Sequence, residues 1–196
     1  MPELTPLVEL LGHAPMRLSD IFDFTPMLEG IRYILADSRR VTLLFMKAGM
    51  GWIGANYVIL SVMGTRDFPV VTTGRAAGEA GMLGISALMA ARGIGAIVGP
   101  ALGHAFAAAD HRRMRLGLSL GFLAAALGYI ALSQATAFWP AFLAVFLAHS
   151  GASIVWMFSS TFMQAFSEDK FRGRLMAADF AGLTLSIAVS SYLAGA

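Results

Sequence analysis

Residues 93–99 read Gly-Ile-Gly-Ala-Ile-Val-Gly, with Arg92 directly before them and Pro100 directly after. Glycines at such a spacing bind a dinucleotide pyrophosphate when a strand precedes them, a helix follows, and an acid stands about 20 residues further on. Here the preceding residues, "GMLGISALMAA", belong to the same apolar run, and the nearest downstream acid, Asp110, lies in a basic loop. The nucleotide chemistry fails on context. At helical spacing, Ala87, Ala91, Gly95, Gly99 and Gly103 recur every fourth residue. They form a smooth ridge that lets another helix backbone come close, which matters in lipid, where no hydrophobic effect draws helices together. Pro100 removes one backbone donor and predicts a kink.

Other chemistry-bearing groups sit in equally apolar surroundings. Arg92 falls within roughly 60° of the glycine ridge at about 100° per residue, so it points to the packed side. A cation there calls for a carboxylate, backbone carbonyls or a watery cavity. Lys47 shares a face with Gly51, Gly54 and Ser61. It either lines a cavity or snorkels to the headgroups, and snorkelling is the expectation. Asn56 lies opposite Lys47 on an ideal helix, so both face inward only if the helix is broken. His149, Ser153, Trp156, Ser160 and Gln164 lie along one side of their segment, a face suited to a polar pathway with Trp156 as a flat surface. For His149 the expected role is packing, since no partner is visible in the sequence. Asp179, Gly182, Ser186 and Ser190 share another face, with Asp179 about one turn inside the membrane edge and expected to pair with Arg172, Arg174 or another loop base.

No catalytic constellation stands out. Three of the four histidines, His13, His104 and His111, lie at or outside segment edges, and no carboxylate pair has hydrolase character. The chain has no cysteine, which excludes disulfides and thiolate metal sites. The basic loops lack interleaved aromatics, so nucleic-acid binding is not expected. The expectation is no enzyme, no cofactor and no metal.

The elements that must position these groups follow from composition. Of 196 residues, 57% are hydrophobic and 13% charged, and mean hydropathy is +0.69. A soluble domain carries about 25% charged residues, so lipid is the natural solvent. A spanning helix needs about 20 mostly apolar residues. Five segments qualify, at 41–64, 80–109, 116–132, 138–166 and 175–196. The expected architecture is an all-α polytopic membrane bundle of five transmembrane helices. Residues 1–40 form a cytoplasmic segment, with residues 1–24 as loop or linker. A short amphipathic helix follows over about 26–36, where Thr25 can N-cap, Pro26 suits the first turn, and Leu28, Ile31, Ile34 and Leu35 make an apolar stripe. With the N-terminus inside, the inner segments carry Arg17, Arg32, Arg39, Arg40, Arg112, Arg113, Arg115, Lys170, Arg172 and Arg174, while the outer loops carry only Arg66 and Arg75. That asymmetry predicts a cytoplasmic N-terminus. The odd number of spans and the apolar ending "YLAGA" read as a fragment.

Four stretches together resemble the major facilitator superfamily, namely the C-terminal half of a bacterial permease of the drug- or siderophore-exporter type. "MLEGIRYILADSRRVTLLF" is similar to the cytoplasmic helix leading into the family's seventh span, and "GMLGISALMAARGIGAIVGPALGHAF" to the eighth. "GHAFAAADHRRMR" resembles the family's loop motif, with Gly103, Asp110, Arg112 and Arg113 as its counterparts. In "MQAFSEDKFRGRLMAADFAG", Arg172, Gly173 and Arg174 match a recurrent R-G-R between spans ten and eleven. The resemblance covers about residues 26–196. It departs from the family in having five spans rather than twelve, and "AFAAA" before the loop motif. It implies a secondary transporter in the bacterial inner membrane that exports small organic molecules by alternating access, through rocking of two halves around a midplane cavity. Lys47, Asn56, Arg92, His149, Ser153, Trp156 and Ser160 would be cavity residues. Asp110 with Arg112 and Arg113, together with Arg172 and Arg174, would form a cytoplasmic gate, and the N-terminal half would be a partner. A proton carrier would lie in that half, since no carboxylate stands at mid-membrane depth here. The competing expectation is a five-span module without transport, acting in assembly or as a partner subunit.

Overall fold

The computed structural model describes residues 24–71, 77–107 and 110–196, and among them there are helices and no strand. The readings placed on Arg17, His13, Arg75 and most of the 1–24 linker, and the end of the expected 80–109 span, lie outside the described residues. The helices are α1 (Thr25–Leu35), α2 (Ser38–Gly51), a 3₁₀ turn (Trp52–Ala55), α3 (Asn56–Arg66), α4 (Ala77–Ala107), α5 (His111–Ser133), α6 (Phe138–Ala165) and α7 (Asp169–Gly195). Five units are long and apolar enough to cross a membrane: α2 through α3 as one span, then α4, α5, α6 and α7.

Helix starts at one end of the bundle share a device. Asp37 caps α2 by accepting a hydrogen bond from the Arg39 amide at 2.9 Å, and Asp110 caps α5 by accepting from the Arg112 amide at 2.9 Å. Both caps begin an Asp-x-Arg-Arg run. The carboxylate satisfies an orphan amide and meets the positive end of the helix dipole. Helix α1 begins at the expected cap, one residue early: Thr25 is its first residue and Phe24 stands at the cap position. Its apolar stripe divides. Ile34 is buried with Gly30, while Leu28, Ile31 and Leu35 are exposed. The cause is α7, whose Arg174 stem lies 3.3 Å from where a Cβ on Gly30 would be.

Helix α6 is the most enclosed element and holds the bundle together. It runs parallel to α4 and antiparallel to α5. A Cβ on Gly95 would stand 2.5 Å from the Phe146 carbonyl, and one on Gly99 would collide with the Ser150 carbonyl. On the other flank, Gly121 and Gly151 face each other across α5 and α6. Such contacts depend on missing side chains. Gly103 meets only the side chains of Met157, Ile154 and Phe158. Pro100 lies inside α4, which continues through it.

The first span is not a continuous α-helix. Its 3₁₀ turn brings Gly51 and Gly54 against α7, beside Ser186 and Ile187. Ser190 and Ser191 of α7 donate to the carbonyls of Gly51 and Gly54 at 3.2 and 3.0 Å. Serines thus take up backbone acceptors where the regular ladder is interrupted. A 3₁₀ residue advances about 120° rather than about 100°. Four such residues rotate α3 by about 80° relative to a straight helix. Lys47 and Asn56, opposite each other on an ideal helix, are consequently both buried, at 1% and 3% exposure. Ser61 of α3 is half-buried, and its hydroxyl bonds the Tyr57 carbonyl.

Two apolar cores lie toward opposite ends. One gathers Leu43, Met114, Phe158, Phe162 and Leu175; the other gathers Leu60, Leu88, Leu132, Ala141 and Val145. Along the first span Lys47 and Asn56 fall between them, as His149 does along α6. Leu102, Leu123, Leu143 and Leu185 point outward, as a lipid-facing surface requires.

Candidate functional site: a polar cleft along α6

Two polar clusters occupy the layer between the cores. In the first, Lys47 of α2 donates to Asp179 Oδ2 of α7 at 2.6 Å and to Ser160 Oγ of α6 at 2.8 Å. Its ammonium also stands 4.4 Å from the centre of the Trp156 ring. Lys47 therefore does not snorkel: a carboxylate, a hydroxyl and an aromatic face supply what water would. Asp179 likewise does not pair with a loop base. Its helix starts at Asp169 rather than near residue 175, so Asp179 lies ten residues along it, about 15 Å in. Arg172 and Arg174 remain at the helix start, bonded to Asp169 and to Glu29 of α1. Among the described residues Asp179 Oδ1 has no hydrogen-bond partner.

In the second cluster, the Asn56 amide nitrogen reaches Tyr129 OH at 3.1 Å and His149 Nε2 at 3.2 Å, and Tyr129 OH lies 3.2 Å from the same Nε2. An amide nitrogen only donates, so Nε2 accepts, which places the ring proton of a neutral His149 on Nδ1. His149 thus has two partners rather than none. Tyr129 comes from α5, a span without charge in its apolar part, and its phenol, an apolar ring with a polar tip, was the sequence signal that could have found it.

Arg92 stands near the middle of α4. Its guanidinium donates to Tyr57 OH at 2.5 Å and lies 4.0 Å from the Tyr57 ring centre. It makes no ion pair among the described residues. It is partly exposed rather than packed under α6, because it faces a cavity of about 380 Å³. Asn56, Tyr57, His149, Ser153 and Trp156 line the same cavity, with Met89, Leu183 and Ile187 as apolar walls. A second cavity, of about 470 Å³, shares Ala96, Ser153 and Trp156 with the first and continues past Ser160 to Gln164. The polar face of α6 from His149 to Gln164, about 22 Å of helix, thus borders two adjoining cavities with a shared wall, together a polar cleft.

The remaining expected residues lie at the end of the bundle where Arg39, Arg112 and Arg172 gather. Asp110 bonds the start of its own helix, and its carboxylate stands 3.7 Å from Arg113. Among the described residues it makes no bridge to another helix. Arg112 and Arg113 are exposed, and Gly103 packs in α4. A tighter assembly forms around α1, from residues the sequence did not single out. Tyr33 stacks on Phe171 at 4.2 Å, and its hydroxyl accepts from the Glu168 amide at 2.7 Å. Arg40 lies 3.6 Å above the Tyr33 ring and donates to the Tyr33 and Phe166 carbonyls. This cluster ties α1 to α2, α6 and α7.

The fold and cleft define the class: a polytopic membrane-type helix bundle with a polar cleft at the depth of its middle. Comparison with protein-family models, curated proteins and solved structures finds no match to this chain.

Proposed function

We propose that the chain is the membrane-embedded part of a secondary transporter for small organic molecules, seated in a bacterial inner membrane with α1 and the arginine-rich end in the cytoplasm. One observation carries this reading: the cleft along α6, with Arg92, Asn56, His149, Ser153 and Trp156 exposed to it or bordering it at mid-span. Polar and charged groups at that depth mark substrate and ion paths more often than they serve packing. The resemblance to the major facilitator superfamily supports the same reading and adds alternating access. The arginine count at the two ends supports the orientation. Lys47, expected in the cavity, lines neither cavity; with Asp179 it lies behind Trp156 and Ser160, which do, and the α1 cluster and the Asp110 cap would steady the cytoplasmic mouth of the path.

The test is solute flux. The full chain is reconstituted into liposomes and counterflow of small organic solutes is measured, with Arg92→Leu alongside. Flux is expected for wild type, with a loss on the order of tenfold or more for Arg92→Leu, the worth of one charge-assisted hydrogen bond. Insertion of the variant is expected to be intact. Equal flux from the two proteins would leave Arg92 a packing residue, and no flux from either would end the transport reading.

A further inference from the structure

The geometry points to an organic monoanion with an aromatic or other flat apolar body as the ligand of the 380 Å³ cavity, its acidic group held by Arg92. This rests on the transporter reading for its biological setting, but on the cavity alone for its chemistry.

The charge inventory of the site is lopsided. Arg92 is the one charged residue among those lining the cavity; the other polar groups there are neutral. Among the described residues the spans hold one deeply buried carboxylate, Asp179, and it is already engaged by Lys47 at 2.6 Å. That pair is closed and neutral as a whole. Arg92 has a phenol hydroxyl and a phenol ring for company and no carboxylate within ion-pairing distance. A cation in such surroundings is costly without a counter-charge. The guanidinium offers five donors in a planar fork, of which one is used by Tyr57. The free part of the fork matches a carboxylate, or a sulfonate, with two parallel bonds.

The rest of the cavity selects the body of the ligand. Met89, Leu183 and Ile187 give an apolar wall, and Trp156, 37% exposed, lines the same cavity. A flat apolar group stacks there while the acid reaches Arg92. The volume lies within the range of about 300–1,000 Å³ that holds drug-sized molecules. One cation balances one negative charge. A dianion would bring a second charge into an apolar wall, and a cation would meet Arg92 unscreened.

The test is direct binding to the purified full chain in detergent, by calorimetry, with four probes of one shape: 2-naphthoate, 2-naphthylmethanol, 2-naphthylmethylammonium and 2,6-naphthalenedicarboxylate. The monoanion is expected to bind about tenfold or more tightly than each of the others. Arg92→Gln should reduce 2-naphthoate to the affinity of the alcohol. Arg66→Gln, at the far end of the first span, should keep the preference. Equal binding of all four, preference for the ammonium or the dianion, absence of binding, or a preference that survives Arg92→Gln would each overturn the inference. The probe series on the wild type decides even if the variant does not fold. Flux in liposomes is a separate readout. Monoanion binding without flux would keep this inference and end the transport reading; flux without the preference would do the reverse.

Discussion

At the scale of residues, the spans' charges are settled by partners rather than by proximity to water. Lys47 and Asp179 illustrate it: each is nearly fully buried, and each is the other's counter-charge. Removing one partner of a buried pair leaves an uncompensated charge, which costs about 3–5 kcal/mol. Lys47→Met is therefore expected to lower the thermal stability of the purified protein strongly, as is Asp179→Leu. The double substitution should recover most of that loss, because two apolar side chains leave no charge behind. Additive losses would contradict the pairing. Asp37 gives a prediction of another kind. Its carboxylate is held down from the usual 3.8 to about 2, first by the Arg39 side-chain hydrogen bond and then by the Arg39 amide. The folded value lies below the unfolded one, so the ionised cap stabilises above about pH 4 and is lost as pH falls from about 3.8 toward 2. The stability difference between wild type and Asp37→Asn should be constant from pH 7 to about 4 and shrink below it. A difference that grows on acidification would refute the sign. The sequence made Arg92, Lys47 and His149 stand out, because polar atoms in apolar runs are conspicuous. It did not supply their partners. Tyr57, Tyr129 and Asp179 come from other helices, and a single chain's periodicity says nothing about which faces meet.

At the scale of elements, helix faces were more legible than helix ends. The ridge Ala91, Gly95, Gly99, Gly103 and the face Asp179, Ser186, Ser190 follow from residue size and a 3.6-residue repeat. The first lies against α6. The second meets Lys47, Gly51 and Gly54, a face equally visible in the sequence but with no sign that the two belong together. Gly99→Leu places a side chain into the Ser150 carbonyl and should cost about 1–3 kcal/mol or prevent folding. Gly93→Leu is the matched comparison, since a Cβ there meets no atom within 4 Å. Expression and thermal stability should fall for the first and hold for the second; equal behaviour would remove the close contact as an explanation of the glycines. The break at Trp52–Ala55 was only conditionally legible. Three glycines in six residues permit it, but permission is not a cause. The cause is tertiary, with Ser190 and Ser191 taking the Gly51 and Gly54 carbonyls. The start of α7 was misplaced because Asp169, Lys170, Arg172 and Arg174 look like loop, while in the fold they are the helix's first two turns, with Arg172 paired to Asp169 and Arg174 to Glu29 of α1.

At the scale of the whole molecule, five apolar spans were plain from hydropathy, and the bundle has them. Their arrangement was not, because apolar helices in lipid choose neighbours by small residues and polar bonds that many pairings would satisfy. The arrangement matters for function because it leaves α6 covered by α4 and α5 on its small-residue sides and open on its polar side. That opening is where the proposed transport path runs, and the proposal's central claim is that water reaches it from both sides in turn. The chain contains no cysteine, so single thiols report without background. The most direct measurement is the reaction of Ser153→Cys, in reconstituted vesicles, with a membrane-impermeant thiol reagent added to one side or the other, and with Leu147→Cys on the outward face of the same helix as reference. The account predicts modification of the residue-153 thiol from each side, fast against a nearly inert residue-147 thiol. Equal inertness of both thiols, or access to residue 153 from one side alone, would contradict it.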